Sequence, residues 1–115
     1  MKLNPEEKLQ ADYIIWLNLN YRDVLYTHPP NGGLRSKTSA IKFKLIGTRA
    51  GVPDLLIFDR KGKYNGMAIE FKVGKNIVQP AQLSWLEKLR ERGWFTCVCY
   101  DIEEAIKHTE YYFNL

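Results

Sequence analysis

Three residues carry types and spacing that suit hydrolytic chemistry: Asp54 in GVPDLLIF, and Glu70 and Lys72 in AIEFKV. An aspartate directly after a proline, at the mouth of an apolar run, serves neither a strand nor an ordinary turn, where Asp precedes the Pro or stands beside a Gly. In AIEFKV, read as a strand, Ile69, Phe71 and Val73 share one face and Ala68, Glu70 and Lys72 share the other. Carboxylates on rigid strands offer oxygen-only ligation. That suits a hard cation such as Mg²⁺, which keeps several waters and takes one or two carboxylates plus a substrate phosphate. Such an ion activates water and stabilises charge on a phosphoryl group. Lys72 beside it would orient or deprotonate the attacking water, or neutralise developing negative charge. The bland reading of an isolated E-x-K triplet is a mixed charge pair on a solvent-exposed strand face, and it explains most such triplets.

The elements that must position these residues change that balance. DLLIFD and GMAIEFKV read as two strands joined by the turn-forming RKGK. A three-residue loop Lys61-Gly62-Lys63 pairs Arg60 with Tyr64, and counting back sets Asp54 directly opposite Glu70. Opposed residues have Cα atoms roughly 4.5–5.5 Å apart with side chains on one face. A two- or four-residue loop breaks the match. Two facing carboxylates repel unless a cation or a proton is shared between them.

Around this hairpin, Asn4, Pro5, Glu6 and Glu7 signal the start of a first helix whose apolar positions include Leu9, Tyr13, Trp16 and Leu17. DVLYTHP is a short strand closed by Pro29, Pro30 and Asn31-Gly32-Gly33. SAIKFKLIG fits both a strand and a helix ending at Gly47, and we read it as a helix. A third helix runs from Pro80 to Arg92 and stops at Gly93. WFTCVCY is a strand, and Asp101 with Glu104 forms a capping box for a last helix through Phe113. The order α-β-α-β-β-α-β-α predicts a single α/β domain, residues 1–115, with a small mixed sheet flanked by helices on both faces.

Composition is that of an ordinary globular chain, 45% hydrophobic and 26% charged. No apolar run approaches the ~20 residues of a membrane span, so the expectation is a soluble, cytoplasmic protein with no membrane partner. Net charge is +4. Arg35, Lys37, Lys42, Lys44 and Arg49 follow one another without an intervening acid, which reads either as a solvated face or as a phosphate-backbone contact. Cys97 and Cys99 read as buried reduced thiols, because a metal site would need further ligands and the chain has only His28 and His108.

Gly51-Val52-Pro53-Asp54 followed by Glu70-Phe71-Lys72 resembles the pattern of the PD-(D/E)xK nucleases, whose core is the restriction-endonuclease-like fold. The chain is most similar to the virus-type replication-repair nuclease domain, VRR-NUC. The similarity runs from Glu7-x-x-Gln10 through Asn31-Gly32-Gly33 and GVPDLLIF to Gln82 and Gly93. The resemblance implies that Asp54, Glu70 and the backbone carbonyl of Phe71 are ligands of Mg²⁺ or Mn²⁺, with no small-molecule cofactor. It makes Lys72 the catalytic lysine and has Glu7 complete the acidic site directly or through water. Gln82 becomes the polar residue near the start of the helix after the catalytic strand, and Asn31 approaches the site.

Each carried-over role has a plainer reading beside it: Glu7 as the N3 partner of an Asn4 capping box, Gln82 as a buried or rim glutamine bonded to backbone, Asn31 as turn chemistry. Gln79 stands where the family often has a small hydroxyl. The resemblance further implies a bare nuclease module of phage or bacterial type, a homodimer acting on branched DNA such as four-way (Holliday) junctions in replication, repair or recombination. The alternatives are a nuclease for linear, flap or nicked DNA, a non-catalytic DNA-binding module of the same fold, and an interaction domain whose acids are coincidental.

Overall fold

The computed structural model describes residues 1–30 and 36–115. Asn31, expected to approach the site and to contact DNA, and Arg35, the first cation of the basic stretch, lie outside the described residues. Eight elements follow the anticipated order: α1 Pro5–Asn20, β1 Tyr26–Thr27, α2 Lys37–Leu45, β2 Leu55–Ile57, β3 Gly66–Phe71, α3 Pro80–Glu91, β4 Trp94–Cys99 and α4 Ile102–Phe113. The strands form one sheet in the order β1-β2-β3-β4. β1 and β2, and β2 and β3, pair antiparallel, whereas β3 and β4 are parallel. A parallel pair requires a crossover, and α3 supplies it.

β3 is the axis of the domain, buried along its whole length. Met67, Ile69 and Phe71 join Leu55, Ile57, Cys97 and Cys99 in a core closed by Tyr13 and Leu17 of α1 and by Ala105 and Tyr112 of α4. Cys97 and Cys99 are free and buried. The neighbouring Cys99 sulfur and burial push the Cys97 thiol well up, as expected of inert core thiols. The other face of β3 lies under α3, which buries Leu86. The 36–46 segment is helical, as read, and none of its side chains is buried. Among the described residues no helix is long and apolar enough to cross a membrane.

The hairpin reaches the anticipated register by a different route. Leu55 pairs with Ile69, Leu56 with Ala68 and Ile57 with Met67, the ladder that sets Asp54 against Glu70. The loop, however, closes at a Lys61–Tyr64 bridge, leaving Gly62 and Lys63 as a two-residue turn with Gly62 at φ 55°. That turn alone would shift the strands by one. Between Ile57 and Lys61 lie three residues, against two between Tyr64 and Met67, and this extra residue restores the pairing in the manner of a bulge.

One helix cap also differs from expectation. Asp101 accepts the Glu104 N–H at 2.8 Å, but the Glu104 carboxylate passes the cap residue and accepts the Tyr100 N–H at 2.6 Å.

Candidate active site

The site forms where β2 begins and β3 ends. Gly51 holds φ 89°, and a Cβ there would lie 2.7 Å from the Ala81 backbone on α3. Only glycine lets the chain pass so close to the helix in a left-handed conformation. Pro53 is buried behind it, and Asp54 is the first residue past the bend.

Asp54 Oδ2 accepts the Phe71 N–H at 2.8 Å. In an extended strand a residue's carbonyl leaves on the same side as its N–H, so the Phe71 carbonyl also turns toward Asp54. The next residue alternates away, with Lys72 donating its N–H to the Cys99 carbonyl at 3.0 Å. Asp54's own carbonyl takes a 2.6 Å hydrogen bond from His28 Nδ1. The same ring nitrogen lies 3.1 Å from Gln10 Nε2 on α1.

Glu70 and Lys72 are 2% and 6% exposed, which removes the solvent-exposed charge pair as a description of this strand face. Lys72 Nζ stands 3.6 Å from Glu70 Oε2. The same oxygen accepts the Gln82 side-chain N–H at 3.1 Å. Gln82 Oε1 in turn accepts the Gln79 N–H at 2.8 Å. The two readings of Gln82 are thus joined in one side chain, whose carbonyl caps α3 while its amide reaches the acid. Glu70 Oε1 is buried and has no hydrogen-bond partner among the described residues.

Burial raises both carboxyls above their ordinary range. For Glu70, desolvation acts first, the Asp54 charge adds to it, and Lys72 opposes them, leaving it pushed up to about 8. For Asp54, desolvation outweighs the Phe71 N–H that favours its charged form. By itself the pair therefore holds a proton near neutral pH, as expected of two acids sharing one dry site.

Glu7 is exposed and committed elsewhere. Its Oε1 accepts the Asn4 N–H at 2.9 Å and the Asn4 side chain accepts the Glu7 N–H at 2.8 Å, the complete capping box. The first-turn acid whose charge acts on Asp54 is its neighbour Glu6, which accepts from Asn76 at 2.8 Å. Sequence reasoning missed both Glu6 and His28. A signal for Glu6 was present, because it shares the helical stripe of Gln10, Tyr13 and Leu17, the last two fully buried. For His28 there was none, since its link to the site is through the Asp54 backbone carbonyl and its other partner, Gln10, is 18 residues away in sequence. No cluster of three or more His, Cys, Asp or Glu side chains suited to a metal forms among the described residues, so the acidic set is a pair.

Of the basic candidates, Lys37, Lys42 and Lys44 are exposed on α2. Arg49 lies beyond it, its guanidinium 5.5 Å from the centre of the Trp85 ring.

A search of curated proteins finds no significant match. A solved structure described as a VRR_NUC domain protein superposes with a TM-score of 0.81 and 29% sequence identity, over 100% of this chain and 93% of that one. The family model of the VRR-NUC domain matches residues 2–101. With the model spanning most of the chain and the solved relative sharing its fold, this chain belongs to the VRR-NUC domain family, a family of nuclease domains.

Proposed function

We propose that the protein is a metal-dependent, structure-specific endonuclease that hydrolyses DNA phosphodiester bonds, acting as a homodimer on branched DNA such as four-way junctions. The observation that carries this reading is the buried, incomplete site. Glu70 Oε1 lacks a partner, Asp54 faces Glu70, and Lys72 lies within 3.6 Å of that carboxylate. A buried polar atom without a partner costs about 1–3 kcal/mol, and more when charged. A divalent cation would relieve this and stabilise both carboxylates in their ionised form.

The residues fit such an ion, because every candidate ligand is a hard oxygen: Asp54, Glu70 and the Phe71 carbonyl. When bound, Mg²⁺ or Mn²⁺ would supply a lowered water pKa and charge stabilisation at the phosphoryl group. The remaining work belongs to this chain's side chains. The Phe71 N–H fixes one Asp54 oxygen and so aims the other. Gln82 and Lys72 both hold Glu70 Oε2, which fixes the plane of that carboxylate. Lys72 orients the attacking water or offsets the charge that develops on the phosphate. His28 secures the Asp54 main chain, so the aspartate sits on a braced bend.

Two further features support the substrate and assembly. The cations of α2 and Arg49 suit a phosphate backbone. Ile41, Leu45 and Ile46 stand exposed on and just after α2, an apolar area suited to a second copy of the chain, and two sites related by a two-fold axis would cut two strands symmetrically.

Cleavage of four-way, flap, nicked and linear DNAs, with and without Mg²⁺, tests the proposal. The expected result is cutting of the branched substrate that stops in EDTA and returns with Mg²⁺ or Mn²⁺. Full activity in chelator would overturn the metal mechanism, and equal cutting of linear duplex would overturn the structural preference. Molecular mass in solution tests the dimer.

A further inference from the structure

A cavity of about 350 Å³ opens on the flank of α3 and is lined by Arg49, Trp85, Lys88 and Arg92 together with Ala50, Ala81, Ser84 and Leu89. Three of its lining side chains are cations and none is acidic. The α3 members fall at positions 81, 84, 85, 88 and 89, and the C-cap residue Arg92 continues the same stripe. The stripe is displaced around the helix axis from Gln82 and Leu86, so this cavity is separate from the carboxylate site.

Lys88 and Arg92 alone would be unremarkable. Cations in the last turn of a helix complement its dipole, and Arg92 does donate to the Lys88 carbonyl at 3.0 Å. Arg49 is different, because it comes from the loop before the active-site bend and serves no helix end. Its guanidinium stacks on Trp85, 5.5 Å from the ring centre. The Trp85 indole N–H is itself tied to the Ala50 carbonyl at 3.1 Å. The ring is therefore fixed by the loop it supports, and it delivers Arg49 to the side of α3 where Lys88 and Arg92 already project. A pre-positioned guanidinium, a second guanidinium and an ammonium around one cavity form an oxyanion site.

We propose that this cavity binds a backbone phosphate of the DNA substrate away from the scissile bond, and so fixes the register of the strand on the enzyme. Arg49 precedes Asp54 by five residues, which keeps their Cα atoms within about 18 Å of each other, a span of several nucleotides. The inference rests on the nuclease reading above and adds to it a second contact point on the same strand or its neighbour.

The test is equilibrium DNA binding in EDTA, where no cleavage occurs, measured against salt concentration for wild type, Lys88→Gln/Arg92→Gln, and Arg49→Gln/Lys88→Gln/Arg92→Gln. The double variant keeps Arg49 on Trp85 and guards against loss of fold. Lys107→Gln, on α4 at the far face of the sheet, controls for net charge. Each phosphate contact contributes about 0.9 to the slope of log K against log salt. The expected result is a slope shallower by about 1 in the triple variant, an affinity at least about tenfold weaker at low salt, and a Lys107→Gln variant like wild type. An unchanged slope in both multiple variants, with wild type still binding DNA steeply, overturns the subsite and leaves the nuclease reading standing. A wild-type protein without salt-dependent DNA binding overturns both. Inorganic phosphate that competes with DNA for wild type but not for the triple variant supports the assignment.

Discussion

The sheet carries a buried polar cluster on each face, and the two are finished to different degrees. On the face covered by α1 and α4, the Tyr13 hydroxyl meets Thr109 Oγ1 at 2.6 Å, and Thr109 donates to the Ala105 carbonyl at 2.7 Å. Both residues are fully buried. Desolvation raises the Tyr13 pKa, so its proton stays in place. On the face covered by α3, Glu70 is almost as deeply buried, yet one of its oxygens has no partner among the described residues and a second acid opposes it. A native core completes its hydrogen bonds because an orphaned polar group is costly. The contrast within one sheet sets the α3 face apart as the less saturated of the two, and the proposed metal site rests on that difference.

The largest effect should come from removing the groups that would face the proposed metal and the scissile phosphate. Asp54→Ala and Lys72→Ala should each lower cleavage by about 10³-fold or more, with DNA binding in EDTA near wild type. Cleavage by either variant at a normal rate would place the chemistry elsewhere.

The next test sets the two clusters against each other in stability. Glu70 has its folded pKa raised to about 8 from 4.5. The stability it contributes is therefore fully present below about 4.5 and is lost as pH rises towards 8. In EDTA, wild type should lose on the order of a few kcal/mol across that window, and Glu70→Gln should lose less. Mg²⁺ or Mn²⁺ should restore wild type at pH 8 and do little for Glu70→Gln. Thr109→Val on the other face strands the Tyr13 hydroxyl and should cost about 1–3 kcal/mol at every pH, metal or none. Thermal unfolding against pH, with and without metal, reads both. Equal pH dependence in wild type and Glu70→Gln would remove the distinction between the faces.

What was legible in the sequence follows the same division. Tyr13 and Leu17, the alternation of Ile69 and Phe71, and the apolar DLLIF run announce the saturated core, because burial of apolar side chains leaves a periodic trace. Asp54 and Glu70 were legible as an opposed pair, although the loop read as setting their register is one residue shorter and a bulge makes up the difference. The spacing of the strands thus survived a wrong account of the turn. The partners that complete the site were less visible. His28 acts on a backbone carbonyl, which no pattern of residue types records. Glu7 matched a motif, but helical geometry gave its side chain to the cap, and the first-turn acid whose charge reaches Asp54 is Glu6, itself bonded to Asn76. The Arg49–Trp85 stack joins residues distant in sequence, and only the fold brings them together.

The smallest effect, and the most discriminating, concerns Gln82, where the saturated and unsaturated styles meet in one side chain. Its carbonyl closes the start of α3 and its amide donates to Glu70. A donor favours the charged form of the carboxylate it bonds, so its loss should raise the Glu70 pKa further. Gln82→Ala should therefore lower cleavage by about tenfold at pH 7, the scale of one hydrogen bond to a charged group. The acid limb of its pH profile should move to higher pH, recovering part of the rate there. Gln82→Glu keeps an oxygen for the Gln79 N–H but presents a further negative charge to Glu70. It should move the limb further while melting near wild type in Mg²⁺. If Gln82→Ala lowers the melting temperature and leaves the pH profile where it was, Gln82 is a helix cap and nothing more, and Glu70 is held by Lys72 alone.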